Sequence, residues 1–318
     1  MITRALAKGE DGRRNKFLLP SRLRLDERSS STTRASAKGE DERSSSTTRA
    51  LAKSKELKFF LTRPNELVGE DGPLGSLPTF SSIMDRKYAE YLLEKTKENY
   101  NLTAEEYTRT RAFIPEDIKS LSDYIKEGDK ILDSGCASGR LFGVLREKKV
   151  DYSGVDVSER LIEIAKKNYP EGNFQITNAL NLPFTDNFFD KIYSISVIHN
   201  IPSKDFQLRY LLESKRVLKP GGLLILRVWD FWKRKEGWKL FLKYSSLKLM
   251  GKSKMDFYDV FIPWKNSNGE ILVQRYFHCF TKREIEGLIR KTGLKVKKSW
   301  RGGKDPRTNI YIVAEKPI

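Results

Sequence analysis

The chain has 318 residues, 38% of them hydrophobic, and carries 60 Lys or Arg against 42 Asp or Glu, a formal net charge of +18. Two cysteines and two histidines are too few for a disulfide framework or a Cys/His zinc cluster, so a structural metal is not expected. The densest apolar run, Leu223 to Val228, is strand-sized and far short of a membrane span, and the expectation is a soluble, cytoplasmic protein.

Residues 1–83 form the first segment. Glu27 to Asp41 returns almost unchanged as Glu42 to Glu56, and Thr3 to Asp11 is a third fragment of the same unit. Ser- and Arg-rich repeats without a periodic apolar face cannot bury enough surface to offset the entropy of ordering, so a solvated tail is expected. A transit peptide is Arg- and Ser-rich too, but poor in acids, and here acidic residues recur throughout. Met84 stands just before the first helical pattern, Tyr88 to Tyr100, and is read as the biological start.

Residues 84–318 read as one α/β domain. A short apolar run from Lys130 stops at Asp133 and gives way to Ser-Gly135-Cys136-Ala137-Ser-Gly139-Arg140, a strand entering a tight turn of small residues. Gly135, Ala137 and Gly139 let a ligand approach the backbone closely, and a helix starting near Ser138 would offer it unpaired N–H groups. Asp156 closes the next apolar run about 20 residues after the first glycine, the offset at which a carboxylate meets a ribose in doubly wound sheets. A nicotinamide enzyme shares this geometry, although the loop lacks the third glycine of its fingerprint. Downstream follow a helix, Ser158 to Asn168, a strand, Phe174 to Thr177, and the pair Asn178-Ala179. A strand from Phe189, a helix ending near Arg216, the turn Pro220-Gly221-Gly222 and the strand Leu223 to Trp229 come next.

This order of motifs resembles the class I S-adenosylmethionine-dependent methyltransferases of the type 11-like group. The resemblance implies a three-layer, Rossmann-like fold with a mostly parallel sheet and a C-terminal antiparallel hairpin, Leu294 to Trp300 and Ile310 to Ala314. Thr281 with Glu284 is a capping box for the helix before that hairpin. The domain divides into a core, 128–230, a basic aromatic insertion, 231–265, and a sheet-completing segment, 266–318. S-adenosylmethionine is the implied cofactor. The implied cofactor-binding residues are Asp133, Gly135, Cys136, Ala137, Gly139, Asp156, Val157, Asn178, Ala179 and Ser196, with Arg111 pairing the donor's carboxylate. Ala137 stands where glycine is usual and Asn178 where aspartate is usual; an Ala takes little room, and an Asn still accepts a hydrogen bond from an amine.

Charge and aromatics bear on the acceptor. Nine Lys or Arg and six aromatic residues lie within Arg227 to Lys254, and a second basic stretch runs from Arg290 to Arg307. Basic side chains interleaved with aromatics suit single-stranded RNA; the same mixture fits peripheral contact with an anionic membrane surface, or an ordinary solvated helix face. Tyr100 to Arg111, Ser194 to His199, Asp259 to Trp264, Arg275 to Phe280 and Asn309-Ile-Tyr resemble the eukaryotic tRNA methyltransferases that esterify 5-carboxymethyluridine at the wobble position. The histidine usual after His199 is Asn200 here. That resemblance implies a tRNA partner, a small activator subunit, and a carboxylate acceptor held by Arg275, His278 and Asn309. A carboxylate is already ionised and needs no base, whereas a phenol or amine acceptor would make His199 the natural general base. The alternatives are a quinone-pathway-like O- or C-methyltransferase of small molecules and a non-catalytic S-adenosylmethionine-binding protein.

Overall fold

The computed structural model describes residues 84–318 except positions 112, 235, 267 and 304–307; the repeats of 1–83 lie outside the described residues. Three helices lead in: α1 (Arg86–Leu102), α2 (Ala104–Thr110) and α3 (Glu116–Leu121). The core then alternates β1 (Lys130–Ser134), α4 (Phe142–Leu145), β2 (Asp151–Asp156), α5 (Glu159–Asn168), β3 (Asn173–Ile176), β4 (Phe189–Ile195), α6 (Lys204–Val217) and β5 (Leu218–Trp229). After it come α7 (Gly237–Leu249), β6 (Asp259–Lys265), β7 (Ile271–His278), α8 (Lys282–Lys291), β8 (Lys295–Gly302) and β9 (Asn309–Glu315).

Seven strands form one sheet in the order β3-β2-β1-β4-β5-β9-β8. Strands β1 to β5 pair in parallel, and β9 joins β5 and β8 antiparallel. Alternation along each strand sends side chains to two apolar layers. Leu132, Ile192, Leu224 and Ile312 pack with α1, α6 and α8 on one face. Ile131, Tyr193, Ile225 and Val313 pack with α3, α4 and α5 on the other. The three-layer expectation and the final hairpin are thereby met. No helix among the described residues is long and apolar enough to cross a membrane.

Three local expectations are corrected. The helix expected at Ser138 begins only at Phe142 and is one turn long, because Ala137 (φ +50°) and Gly139 (φ +79°) are left-handed and a right-handed helix cannot run through them. The strand expected from Leu223 begins at Leu218, and its pairing with β4 jumps between Phe189 and Lys191, so Lys219 to Gly222 bulge from the ladder. Finally, β7 does not join the main sheet. It pairs with β6 in a separate two-stranded sheet, which joins the insertion to the segment after it.

Helix ends follow the chain's capping signals. Ser158 accepts from the Leu161 N–H at the start of α5, and Thr281 and Glu284 form a reciprocal capping box on α8.

Candidate functional site

The carboxyl ends of β1, β2 and β4 open on a cavity of 350 Å³ that α1 covers from above. Of the sequence-derived cofactor residues, Gly135, Ala137, Asp156, Val157, Asn178, Ala179 and Ser196 all line it. Gly135 has φ +84°, and a Cβ there would lie 2.3 Å from Val197 Cγ2, so glycine is required on two counts. The loop is tied down by Gly135 N–H and Cys136 N–H, which both donate to Val155 O, at 2.7 and 2.9 Å.

Asp156 is the organising group. Its Oδ2 accepts from Ala137 N–H and its Oδ1 from Ser158 N–H, each at 2.9 Å, so one carboxylate holds the glycine-rich turn to the start of α5. Burial pushes its pKa up, and these backbone donors oppose the rise. Each oxygen keeps lone-pair capacity toward the cavity, as a ribose diol requires. Asn178 Oδ1 accepts from Leu180 N–H at 2.9 Å, which leaves it a second acceptor position for an exocyclic amine. The cavity thus presents a carboxylate and an amide, the groups that a ribose diol and an exocyclic amine would engage.

A second cavity of 20 Å³ shares Gly135, Ala137 and Tyr107 with the first. Asp133, Cys136 and Arg111 line this smaller space, together with Arg140. Burial raises Asp133 to about 7, against a hydrogen bond from the Tyr152 hydroxyl at 2.9 Å. The buried Cys136 thiol has its pKa pushed well up by desolvation and is no thiolate. Gly139 lines neither cavity; a Cβ there would meet the Phe174 and Tyr169 rings at 2.9 and 3.0 Å, so its role is packing.

The acceptor residues separate. Arg275 lines neither cavity and reaches the first only through a lining residue: its guanidinium lies 4.5 Å from the Trp264 ring centroid and 5.1 Å from that of Phe277. It also meets the hydroxyl of Tyr100, a cavity-lining residue. Arg111 packs on the same Trp264 ring at 4.7 Å and on Tyr107 at 4.3 Å. Neither arginine forms an ion pair with a described residue, and Arg275 Nε is buried without a hydrogen-bond partner. A buried cation with one N–H unmet has hydrogen-bonding capacity that an anion could satisfy.

His278 and Asn309 do not join it. Both ring nitrogens of His278 are taken, Nδ1 by Asp259 Oδ1 at 2.7 Å and Nε2 by Glu284 Oε1 at 3.2 Å. Burial alone would lower its pKa, yet the two carboxylates raise it to about 9, and the imidazolium clamps β6, β7 and α8 together. Asn309 is buried on β9 opposite Trp229, with its amide toward the Tyr311 hydroxyl. His199 lies in the turn after β4 but lines neither cavity. Its Nδ1 accepts from Trp229 N–H at 3.5 Å, its ring stacks on Phe277, and burial with nearby arginines holds its pKa well below 6.5.

Several site residues were not singled out from the sequence. Tyr100 and Tyr107, seven positions apart, bring their rings to 5.7 Å and face the cavity from the lead-in helices. Asn200 donates to Ser196 O and Val197 O and accepts from the Tyr100 hydroxyl, fixing the exit of β4 to α1. Tyr100 and Tyr107 sit on different helices joined at Thr103, so their meeting depends on that turn and not on spacing within one helix.

A family model described as a methyltransferase domain matches residues 132–226. A human protein named probable tRNA methyltransferase 9B is 33% identical over 147 residues, 46% of this chain and 30% of that one. The chain therefore spans about 30% of the length of that relative. A Schizosaccharomyces pombe protein named tRNA (carboxymethyluridine(34)-5-O)-methyltransferase is 26% identical over 245 residues, 71% of this chain and 98% of that one. Among solved structures, a Methanosarcina mazei S-adenosylmethionine-dependent methyltransferase superposes with a TM-score of 0.55 at 23% identity, covering 63% of this chain and 97% of that one.

Proposed function

We propose that the chain is a class I S-adenosylmethionine-dependent methyltransferase that methylates a carboxylate on RNA, that of a modified tRNA wobble uridine. One observation carries the acceptor reading: Arg275 pairs with the hydroxyl of Tyr100, a lining residue of the cavity, and its buried Nε has no hydrogen-bond partner. A carboxylate would meet that guanidinium through parallel charge-assisted hydrogen bonds.

The donor fits the residues present. Asp156 would hold the ribose hydroxyls and Asn178 the adenine amine, with Gly135 and Ala137 allowing close approach, Val157, Ala179 and Ser196 walling the cavity, and Arg111 lying toward the smaller space beside Asp133. When bound, S-adenosylmethionine supplies a methyl group already activated on a sulfonium. What this chain adds is alignment, the main source of rate in such a displacement. Arg275 and Tyr100 would position the attacking oxygen, and Asn200 would keep Tyr100 in place. The described cavity lining contains no histidine, and His199 is turned into the core, which suits an acceptor that arrives ionised.

The proposal includes two partners. The tRNA reading is supported by the names of the human and fission-yeast relatives. A small activator subunit would have β3 available, an edge strand of the main sheet among the described residues, whose Ile176 also lines the cavity. The test is transfer of labelled methyl to tRNA bearing 5-carboxymethyluridine, with Arg275→Gln alongside. Transfer by the wild type that Arg275→Gln loses supports the reading; transfer that the variant retains in full sinks the role of Arg275.

A further inference from the structure

The insertion carries an aromatic platform and a set of exposed lysines that form no ion pair with a described residue. Trp232, Trp238, Phe241 and Tyr258 form a single ring cluster, with centroid distances between 5.1 and 5.8 Å. Trp238 is 57% exposed and Tyr258 41%, so the cluster presents ring surface to solvent instead of closing on itself. Tyr258 is held at φ +72°, a conformation that a bulky side chain adopts only when its surroundings compel it. Its ring stacks on Phe241 at an interplanar angle of 16°.

Lysines are dense in the same segment. Lys233, Lys239 and Lys243 are exposed on the insertion, with Lys252 and Lys254 in the loop after α7, and none forms an ion pair with a described residue. Elsewhere on the surface some lysines are paired, as at Lys95, Lys97 and Lys149. A local excess of uncompensated positive charge beside open aromatic faces is the footprint of single-stranded nucleic acid, whose bases stack while its phosphates meet the cations. An anionic bilayer would want apolar and basic residues on opposite faces of the helix. Here the inward face of α7 is spent on β6, and Lys239 and Lys243 alternate with Trp238 and Leu242 on the outward one.

The platform is also tied to the site. Tyr258 immediately precedes β6, and Trp264, the ring beneath Arg111 and Arg275, lies six residues along that strand, about 20 Å away. We infer that the surface formed by Trp238, Tyr258, Lys239 and Lys243 binds a single-stranded RNA segment flanking the methylated nucleotide, with an unpaired base stacked on the exposed rings. The inference rests on the RNA reading for its ligand class but not on the carboxylate chemistry.

The test measures binding alone, with the full chain and a fluorescent oligouridylate of about 10 nucleotides, followed by anisotropy across a salt series. Trp238→Ala weakens binding about tenfold, and the double variant Lys239→Ala/Lys243→Ala lowers the log-log salt slope by about 1.4. The control Lys166→Ala/Lys167→Ala, on exposed α5 positions, changes neither. Donor binding stays at the wild-type level in every variant, which shows that the fold is intact. Unchanged RNA affinity in Trp238→Ala, or equal loss in the control, overturns the inference. So does binding to phosphatidylserine vesicles that Trp238→Ala abolishes while RNA affinity stays put. Because the probe has no carboxylate and no methyl is transferred, failure of the esterification reading leaves this result untouched.

Discussion

Replacing His278 by glutamine tests whether the buried histidine is a clamp or an acceptor ligand. The imidazole sits between Asp259 and Glu284 at 2.7 and 3.2 Å, and its pKa rises from 6.5 to about 9 in the folded protein. A group whose folded pKa is raised stabilises fully below its unfolded pKa, and that stabilisation fades as pH climbs through the folded value. The shift corresponds to about 3 kcal/mol, present below about pH 6.5 and gone above about pH 9. Urea unfolding of wild type and His278→Gln across that window gives the difference directly. The gap is widest at the acid end, where the variant leaves two carboxylates facing each other without their cation, and it closes toward the alkaline end. Asp133, raised by burial to about 7, titrates in both proteins and cancels in the difference. Parallel curves, with a gap independent of pH, refute the clamp.

Gly135→Ala adds a methyl 2.3 Å from Val197 Cγ2 at φ +84°, and donor affinity by calorimetry falls at least about tenfold; wild-type affinity would show that the turn does not shape the donor site. Arg275→Gln reduces kcat/KM for RNA about 100-fold while donor affinity holds, since a buried charge pair loses one member; a fall in donor affinity instead would move Arg275 to the donor. His199→Ala destabilises the protein by removing a ring packed against Trp229 and Phe277, yet per folded molecule its turnover drops less than about tenfold. A loss of about 100-fold with an inflection in the pH–rate profile would restore His199 as a base.

Much of the candidate donor site was legible because its signals lie close together in the sequence. Gly135, Ala137 and Asp156 follow from a turn that must admit a ligand and from a carboxylate at a fixed offset, and both are local in sequence. The acceptor side was less legible because it depends on tertiary placement. Arg275 and His278 are three apart on β7, so the strand's alternation sends them to opposite faces, one toward Trp264 and Tyr100, the other into a carboxylate pair contributed by β6 and α8. Nothing in the run Arg275 to Phe280 distinguishes those outcomes. His199 misled for a related reason: the carboxyl end of β4 is where ligands sit, but Asn200 takes the cavity-facing position and His199 the core. The insertion's strand β6 was hidden by its own charge and aromatic content, which reads as surface until β7 supplies a partner.

The central claim is that this chain esterifies a carboxylate on RNA with the methyl group of S-adenosylmethionine. The direct measurement is incubation of the full chain, with and without a candidate activator subunit, with methyl-labelled donor and separated RNA, protein and small-molecule fractions. Mild alkali treatment of the labelled fraction follows. The account predicts label in RNA of tRNA size that alkali releases as volatile methanol, the signature of a methyl ester. Alkali-stable label on RNA, or label confined to the small-molecule fraction, contradicts it.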